Sequence, residues 1–293
     1  MRRLGRLFGD RRVALSGVVL AALVIAVLAA PLVALLIGAD SGRVDLHHRL
    51  APASFAHPLG TDELGRDLLL RLLEGGRVSL VVGLAAAIAA AGLGTAIGLV
   101  AGYRGGRLDA LLMRLTDGVI ALPLLPLLVV LAAIDLRKLG LPGWLVQSEA
   151  VSLYRIIALI ALVGWTTVAR LVRGAALSLR AQDFVRAAVA LGAGPLRIML
   201  VHILPNLASS IIVATTMSVG GIILLESVLS FLGLGIEPPL PSWGNMLTGA
   251  QETVAFAPQL AIYPGLLIFI TVIACNFLGD GLQDALDPRA KRR

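Results

Sequence analysis

The chain has 293 residues, 58% of them hydrophobic and only 15% charged, with a mean hydropathy of +0.91. Soluble domains run near about 45–50% apolar and 25% charged, so the composition argues against a packed soluble core and for membrane spans. The formal net charge is +7, but the arginines gather at the ends of long apolar runs. That points to membrane topology and a lipid bilayer as partner, not nucleic acid.

Residues 1–12 form a basic tail, and residues 13–37 the first apolar segment. This segment is too long for a signal-peptide core and no cleavage site follows, so a retained span is expected. Residues 38–76 are polar and include the string His57-Pro58-Leu59-Gly60-Thr61-Asp62-Glu63-Leu64-Gly65-Arg66-Asp67. Asp62 is placed to cap a short amphipathic helix, 63–73, lying at the membrane interface. The second span, 78–102, carries Gly83, Gly92, Gly94 and Gly98, and small residues let helices approach closely in lipid. The basic turn 103–107 follows. The third span, 112–134, contains Pro123 and Pro126, which predict a kink that either lines a pathway or only packs. A polar loop, 135–150, leads to the fourth span, 151–169.

Residues 168–206 read as helix, break, helix. Leu171, Ala175 and Leu179 recur at helical spacing through 170–191, with Arg170, Arg173, Arg180 and Arg186 between them. Gly192-Ala193-Gly194 breaks the helix. Pro195 suits the first turn of a second one, running through Ile198 and His202 to Leu204-Pro205. A basic projection of this kind suits docking on a soluble partner, or is an ordinary loop. The fifth span, 207–232, is unusually polar and holds Glu226. The proline-rich stretch 233–257 predicts a loop with Trp243 at the interface. The sixth span is 258–278, and a polar, basic end follows.

With the N-terminus on the cytoplasmic side, six spans return the C-terminus to that side, and 17 of the 25 Lys and Arg residues fall there. The positive-inside rule therefore predicts both termini, and the 168–206 loop, in the cytoplasm. The only lysines are Lys138 and Lys291, and neither follows a phosphate-cradling glycine pattern; the chain carries no Walker A motif. Four histidines, His47, His48, His57 and His202, form no recognised metal spacing. His47-His48 could contact nickel or be a solvated pair. Cys275 is the single cysteine, which excludes an intramolecular disulfide and a cysteine metal site. Glu226 and Asp117 are carboxylates within spans, which face a cavity or a partner. They are candidate pathway or gate residues, or structural ones, Glu226 paired or hydrated near the outer interface and Asp117 paired with its helical neighbour Arg114.

The run Ala187-Ala188-x-x-Leu191-Gly192, then Ile198-x-x-x-His202-Ile203-Leu204-Pro205-Asn206, resembles the EAA loop of ABC-type import permeases. It is closest to the form in dipeptide, oligopeptide and nickel permeases. The 57–67 string, Gly164-Trp165, 170–173, 229–235, 241–246 and 278–288 resemble, in the same order, the second of the two paired permeases of peptide importers. The resemblance implies an all-α integral membrane protein with six transmembrane helices and the type I importer (MetI-like) permease fold. It divides the chain into an N-terminal part (1–76), a permease core with five spans (77–282) and a cytoplasmic tail (283–293). It implies that Arg186, Ala187, Ala188, Leu191, Gly192, Ile198, His202, Leu204 and Pro205 couple the chain to an ATPase; where the family usually has Glu, this chain has Arg186. It further implies a second homologous permease, two ATP-binding subunits and an extracytoplasmic binding protein as partners. No cofactor is expected on this chain, ATP and Mg being bound by the partner subunits. The chain would then be a non-catalytic subunit of the cell inner membrane. Di- or oligopeptides are the first substrate expected, with nickel and peptide-like compounds open. Two alternatives are a secondary transporter driven by an ion gradient through Glu226 and Asp117, and a non-transporting scaffold.

Overall fold

The computed structural model describes residues 10–38, 40–134 and 150–286. The expected 135–150 loop and most of both basic termini lie outside them. The described residues are helical apart from loops and one isolated bridge, Thr61 to Asp67. Helix α1 is Arg11–Leu28 and α2 Ala30–Ile37, α2 entering on Pro31 and ending at Gly38 in the left-handed region (φ 69°).

Helix α3, Leu68–Arg104, has 37 residues. At 1.5 Å per residue it is about 55 Å long, well beyond the ~30 Å hydrocarbon core, so its ends project. Of the helix expected over 63–73, residues 63–67 form a turn instead, and 68–73 are the opening turns of α3. Asp62 instead accepts the backbone N–H groups of Leu64 and Arg66 (both 2.9 Å) and the Arg66 Nε–H (2.7 Å), closing a turn in which Gly65 has φ 74°. The cap is Asp67, which accepts the Leu70 N–H at 2.9 Å. The boundary expected at 76/77 therefore falls inside one continuous helix.

The third span is broken more sharply than a kink. Helices α4, Gly106–Ala121, and α5, Leu124–Ala132, meet at 87°. Leu122 is extended because a residue before proline disfavours the helical region. Pro126 falls in the first turn of α5, where its missing N–H has no partner to lose.

Helix α6 is Ala150–Arg180 and α7 Asp183–Ala190, so the helix expected over 170–191 breaks at Ala181-Gln182. The break lets Val185 fold back on Ile198 and Met199, burying apolar surface that a straight projection would expose. Gly192 has φ 81° and Pro195 opens the next helical turn, both as the sequence suggests. That turn, Pro195–Arg197, does not end at Pro205. It passes through a π-helical run, Ile198–Ile203, into α8, Leu204–Phe231. The Leu204 N–H reaches back five residues to the Met199 carbonyl, and this wider turn absorbs Pro205 without ending the helix.

Trp243 is not interfacial. The expected 233–257 loop contains α9, Trp243–Ala250, opened by a reciprocal cap: the Ser242 hydroxyl accepts the Asn245 N–H and the Asn245 side chain accepts the Ser242 N–H. The indole is fully buried and donates to the Leu72 carbonyl at 2.9 Å. Helix α10, Gln259–Leu286, closes the chain and extends past both 278 and the boundary expected at 282/283.

Helices α3, α6, α8 and α10 form the bundle, with α1 against α10. The most extensive contact is α3 on α6. Gly94, Gly98 and Gly102, one turn apart, press against the backbone of α6 at Trp165, Ala169 and Arg173. Five helices or helix runs (α1, α3, α6, 195–231 and α10) are long and apolar enough to cross a membrane, and the number is six when the bent α4–α5 pair is counted as one span. The 181–197 loop sits at the same end of the bundle as the start of α1 and the end of α10: Gly279 near the end of α10 packs on Met217 in the half of α8 that leads from the loop, and Gly281 packs on Val13.

Candidate functional site

The 181–197 loop is a knob with a seated face and an exposed face. Val185, Ala188, Ile198 and Met199 are buried and hold it to the bundle. Arg186, Ala187 and Gly192 are exposed. Leu191 is 88% exposed, Leu196 66% and Phe184 42%. With Val189, also exposed, these make four large apolar side chains in the open, a ridge built to be covered. Of the residues expected to couple, the structure brings Arg186, Ala187, Leu191 and Gly192 to the exposed tip. Ala188 and Ile198 serve the seat instead. His202 is half-buried in the π run, where its carbonyl accepts from Asn206 Nδ2 at 2.7 Å, and Leu204 and Pro205 start α8 beside an apolar groove. Phe184 and Leu196 were not singled out from the sequence. Arg186 meets Asp183 at 3.7 Å, but both are exposed, so the pair contributes little.

Two grooves flank the first half of α8, and they differ in character. One, about 610 Å³, lies against α3 and is apolar, lined by residues such as Ile88, Gly92, Leu204 and Ile212. The other, about 630 Å³, lies between α6, α8 and the end of α10, and Thr167, Ser209, Ser210, Ser218 and Gln283 line it with Met217. Polar side chains on a membrane-embedded face are costly unless they meet water or protein. The second groove is therefore the candidate aqueous surface.

Neither candidate gate carboxylate lines these grooves. Glu226 is fully buried near the opposite end of α8. Its carboxylate accepts from the Ser230 hydroxyl (2.7 Å), the Ser79 hydroxyl (3.1 Å) and, longer, Ser227 (3.4 Å). Ser79 in turn accepts the Trp243 N–H (3.2 Å), and Ser230 the Ile236 N–H (3.0 Å). The cluster ties α9 and its leading loop to α3 and α8. Glu226→Leu, which orphans these hydroxyls, should cost about 1–3 kcal/mol and lower the melting temperature in detergent, whereas Glu226→Gln should cost clearly less. Asp117 pairs with Arg170 at 2.5 Å, not with Arg114, because the flank of α4 lies on α6. A second pair, Asp109 with Arg173 (2.8 and 2.6 Å), joins the same two helices. His48 bonds the exposed Asp45 at 2.9 Å, and among the described residues no three His, Cys, Asp or Glu side chains cluster as a metal site.

Comparison with known proteins places these features. Residues 94–292 match the family described as binding-protein-dependent transport system inner membrane component. The chain is 42% identical over 238 residues to a glutathione transport system permease protein of Pectobacterium atrosepticum, covering 81% of this chain and 74% of that protein. It is 38% identical over 253 residues to an oligopeptide transport system permease protein of Bacillus subtilis, covering 86% and 78%. It is 43% identical over 233 residues to a di/tripeptide transport system permease protein of Pseudomonas aeruginosa, covering 80% and 72%. With its apolar helical spans and this match over most of its length, the chain belongs to the family of binding-protein-dependent transport system inner membrane components and is a multi-span permease.

Proposed function

We propose that this permease is one of two paired subunits forming the pathway of an ATP-driven importer for di- and oligopeptides or related solutes. Two ATP-binding subunits, which hold the ATP and Mg, engage the two permeases from the cytoplasm, and an external binding protein delivers the solute. The observation that carries this reading is the apolar ridge of Phe184, Leu191 and Leu196, held out from the bundle on a buried seat. Peptidic substrates are supported by the printed names of three relatives. The count of basic residues supports an inner-membrane orientation with both termini and the knob in the cytoplasm. The groove between α6, α8 and α10, whose largely apolar lining carries Thr167, Ser209, Ser210, Ser218 and Gln283, supplies this chain's wall of the pathway. Closure of the ATP-binding subunits presses on α7 and moves α6 and α8, the two helices that flank both knob and groove.

A gradient-driven carrier has less support, since Glu226 is enclosed by serines and Asp117 is paired with an arginine. The test separates the two. In vesicles holding the whole complex, uptake is expected to stop when the ATP-binding subunits are inactivated and to survive a protonophore. Uptake that persists without ATP hydrolysis and collapses with the protonophore would establish the carrier.

A further inference from the structure

Helices α1 and α10 do not close on each other along their whole length. Where α1 starts they leave a groove of about 210 Å³, reached from α1 by Arg12, Ser16 and Val19 and from α10 by Phe269, Ala274 and Phe277. Ser16 and Ala274 are small and buried and make its floor, and Phe269 and Phe277 stand exposed at its rim. The Ser16 hydroxyl is spent on the Arg12 carbonyl at 2.8 Å. The groove is therefore an apolar slot with a guanidinium at one end.

Its length narrows what can fill it. From Phe269 to Phe277 the lining stretch of α10 rises about 12 Å, and half of the ~30 Å hydrocarbon core is about 15 Å. Farther along, α1 leans on α3, with Val27 buried against Gly76. The slot is thus about one leaflet deep. That depth suits an acyl chain, whereas a transmembrane helix of a partner would need a trough across both leaflets.

The charge at its mouth is free. Among the described residues the side chains of Arg11 and Arg12 make no hydrogen bond or ion pair. Asp10 caps α1 through the Arg12 backbone N–H at 2.9 Å, and Asp280 and Asp284 are exposed on the last turns of α10, outside ion-pair reach of either arginine. The balance at this end is basic: residues 1–12 carry five arginines against one aspartate, and residues 280–293 four basic residues against three aspartates. An unpaired guanidinium binds a phosphate oxygen through charge-assisted hydrogen bonds, and basic pockets between membrane helices take up anionic head groups.

We propose that this groove is a binding site for one anionic phospholipid of the leaflet in which α1 starts, an acyl chain lying on Ser16 and Ala274 and the phosphate on Arg12. A lipid so seated fills the gap and ties α1 to α10. The inference goes beyond the importer reading and needs only that the chain spans a membrane.

The test titrates the detergent-purified complex, the permease with the subunits that accompany it, with phosphatidylglycerol and with phosphatidylethanolamine of the same acyl chains. Native mass spectrometry reads the bound lipid. The native complex is expected to prefer phosphatidylglycerol. Arg12→Gln is expected to weaken phosphatidylglycerol about fivefold, the worth of one arginine at an anionic surface, and to remove the preference. Arg11→Gln deletes the same charge one residue away from the lining and is expected to change binding much less. Val19→Phe fills the slot and is expected to weaken both lipids, and Ile273→Phe repeats this from α10 should Val19→Phe fail to assemble. The proposal is overturned if the native complex retains no phosphatidylglycerol or binds both lipids alike, if Arg12→Gln and Arg11→Gln lose equally, or if the slot-filling variants bind as the native complex does. None of these outcomes depends on ATP-driven uptake, so failure here leaves the importer reading standing.

Discussion

Leu191→Asp is expected to release the ATP-binding subunits from the purified complex. Leu191 is the most exposed large apolar side chain of the knob, at 88%, and Phe184, Val189 and Leu196 are its other exposed ones. Covering one such side chain is worth about 1.5–3 kcal/mol, and a carboxylate buried in its place adds a desolvation cost. A loss of about 2 kcal/mol alone is roughly a thirtyfold weaker association. Retention of the ATP-binding subunits after affinity purification measures it, with the amount of permease in the membrane as the control. Because Leu191 packs on nothing in its own chain's core, the variant should fold normally. Arg186→Ala should weaken retention only a few-fold, since its exposed pair with Asp183 contributes little. Equal losses for the two variants would mean that charge, not the ridge, carries the contact.

Gly98→Val should prevent the bundle from assembling. A Cβ at Gly98 would lie 2.4 Å from the Ala169 carbonyl oxygen and 2.9 Å from the Val172 Cβ. The same holds one turn away on either side: 2.5 Å from the Trp165 oxygen at Gly94 and 2.7 Å from the Arg173 oxygen at Gly102. In each case the obstacle is backbone, which cannot rotate aside. Overpacking costs typically about 1–3 kcal/mol where side chains can adjust, and valine here must separate α3 from α6, the largest interface of the fold. The expected result is loss of the protein from the membrane, or a melting temperature in detergent too low to measure. Gly92→Val is the internal control: on the same helix, a Cβ there meets nothing within 4 Å, so the chain should fold and melt as the native one does.

Much of this architecture can be read from the order of residues. Length and hydropathy place the spans, and Gly192 and Pro195 mark the turn of the knob through backbone conformations that those residues favour. Where the structure departs from the local sequence pattern, the cause is a contact made at long range. Asp62 and Asp67 are both competent caps, and the choice between them is made at long range: Gly65 lies so close to the Asp45 carbonyl that no side chain fits. This fixes a turn between the two aspartates. The cap of α9 was visible as Ser242-Trp243-Gly244-Asn245, but the prolines around it suggested continuous loop. The burial of Trp243 depends on Gly75 and Gly76, distant in sequence, giving it room on α3. Phe184 is one apolar residue on an amphipathic helix, and only the seating of Val185 against Met199 shows which face is left outside. Glu226 was conspicuous as a charge in a span, yet its partners on α3 and beside α9 come from segments far along the chain, so its place in a packing network rather than a pathway could not be read locally.

The proposed docking of the knob on an ATP-binding subunit can be tested by cross-linking, since the chain has one native cysteine. Cys275 is buried in α10, so a new thiol at the knob will be the reactive one. Leu191→Cys is placed in membranes with the ATP-binding subunits and treated with a short thiol-to-amine cross-linker. A cross-linked product of the permease with an ATP-binding subunit is expected, absent from a Leu35→Cys control, Leu35 being exposed on α2, beyond the end of α1 opposite the knob. A complex that retains its ATP-binding subunits yet gives no such product, with the Leu191→Cys thiol labelled as readily in the complex as in the isolated permease, would contradict it.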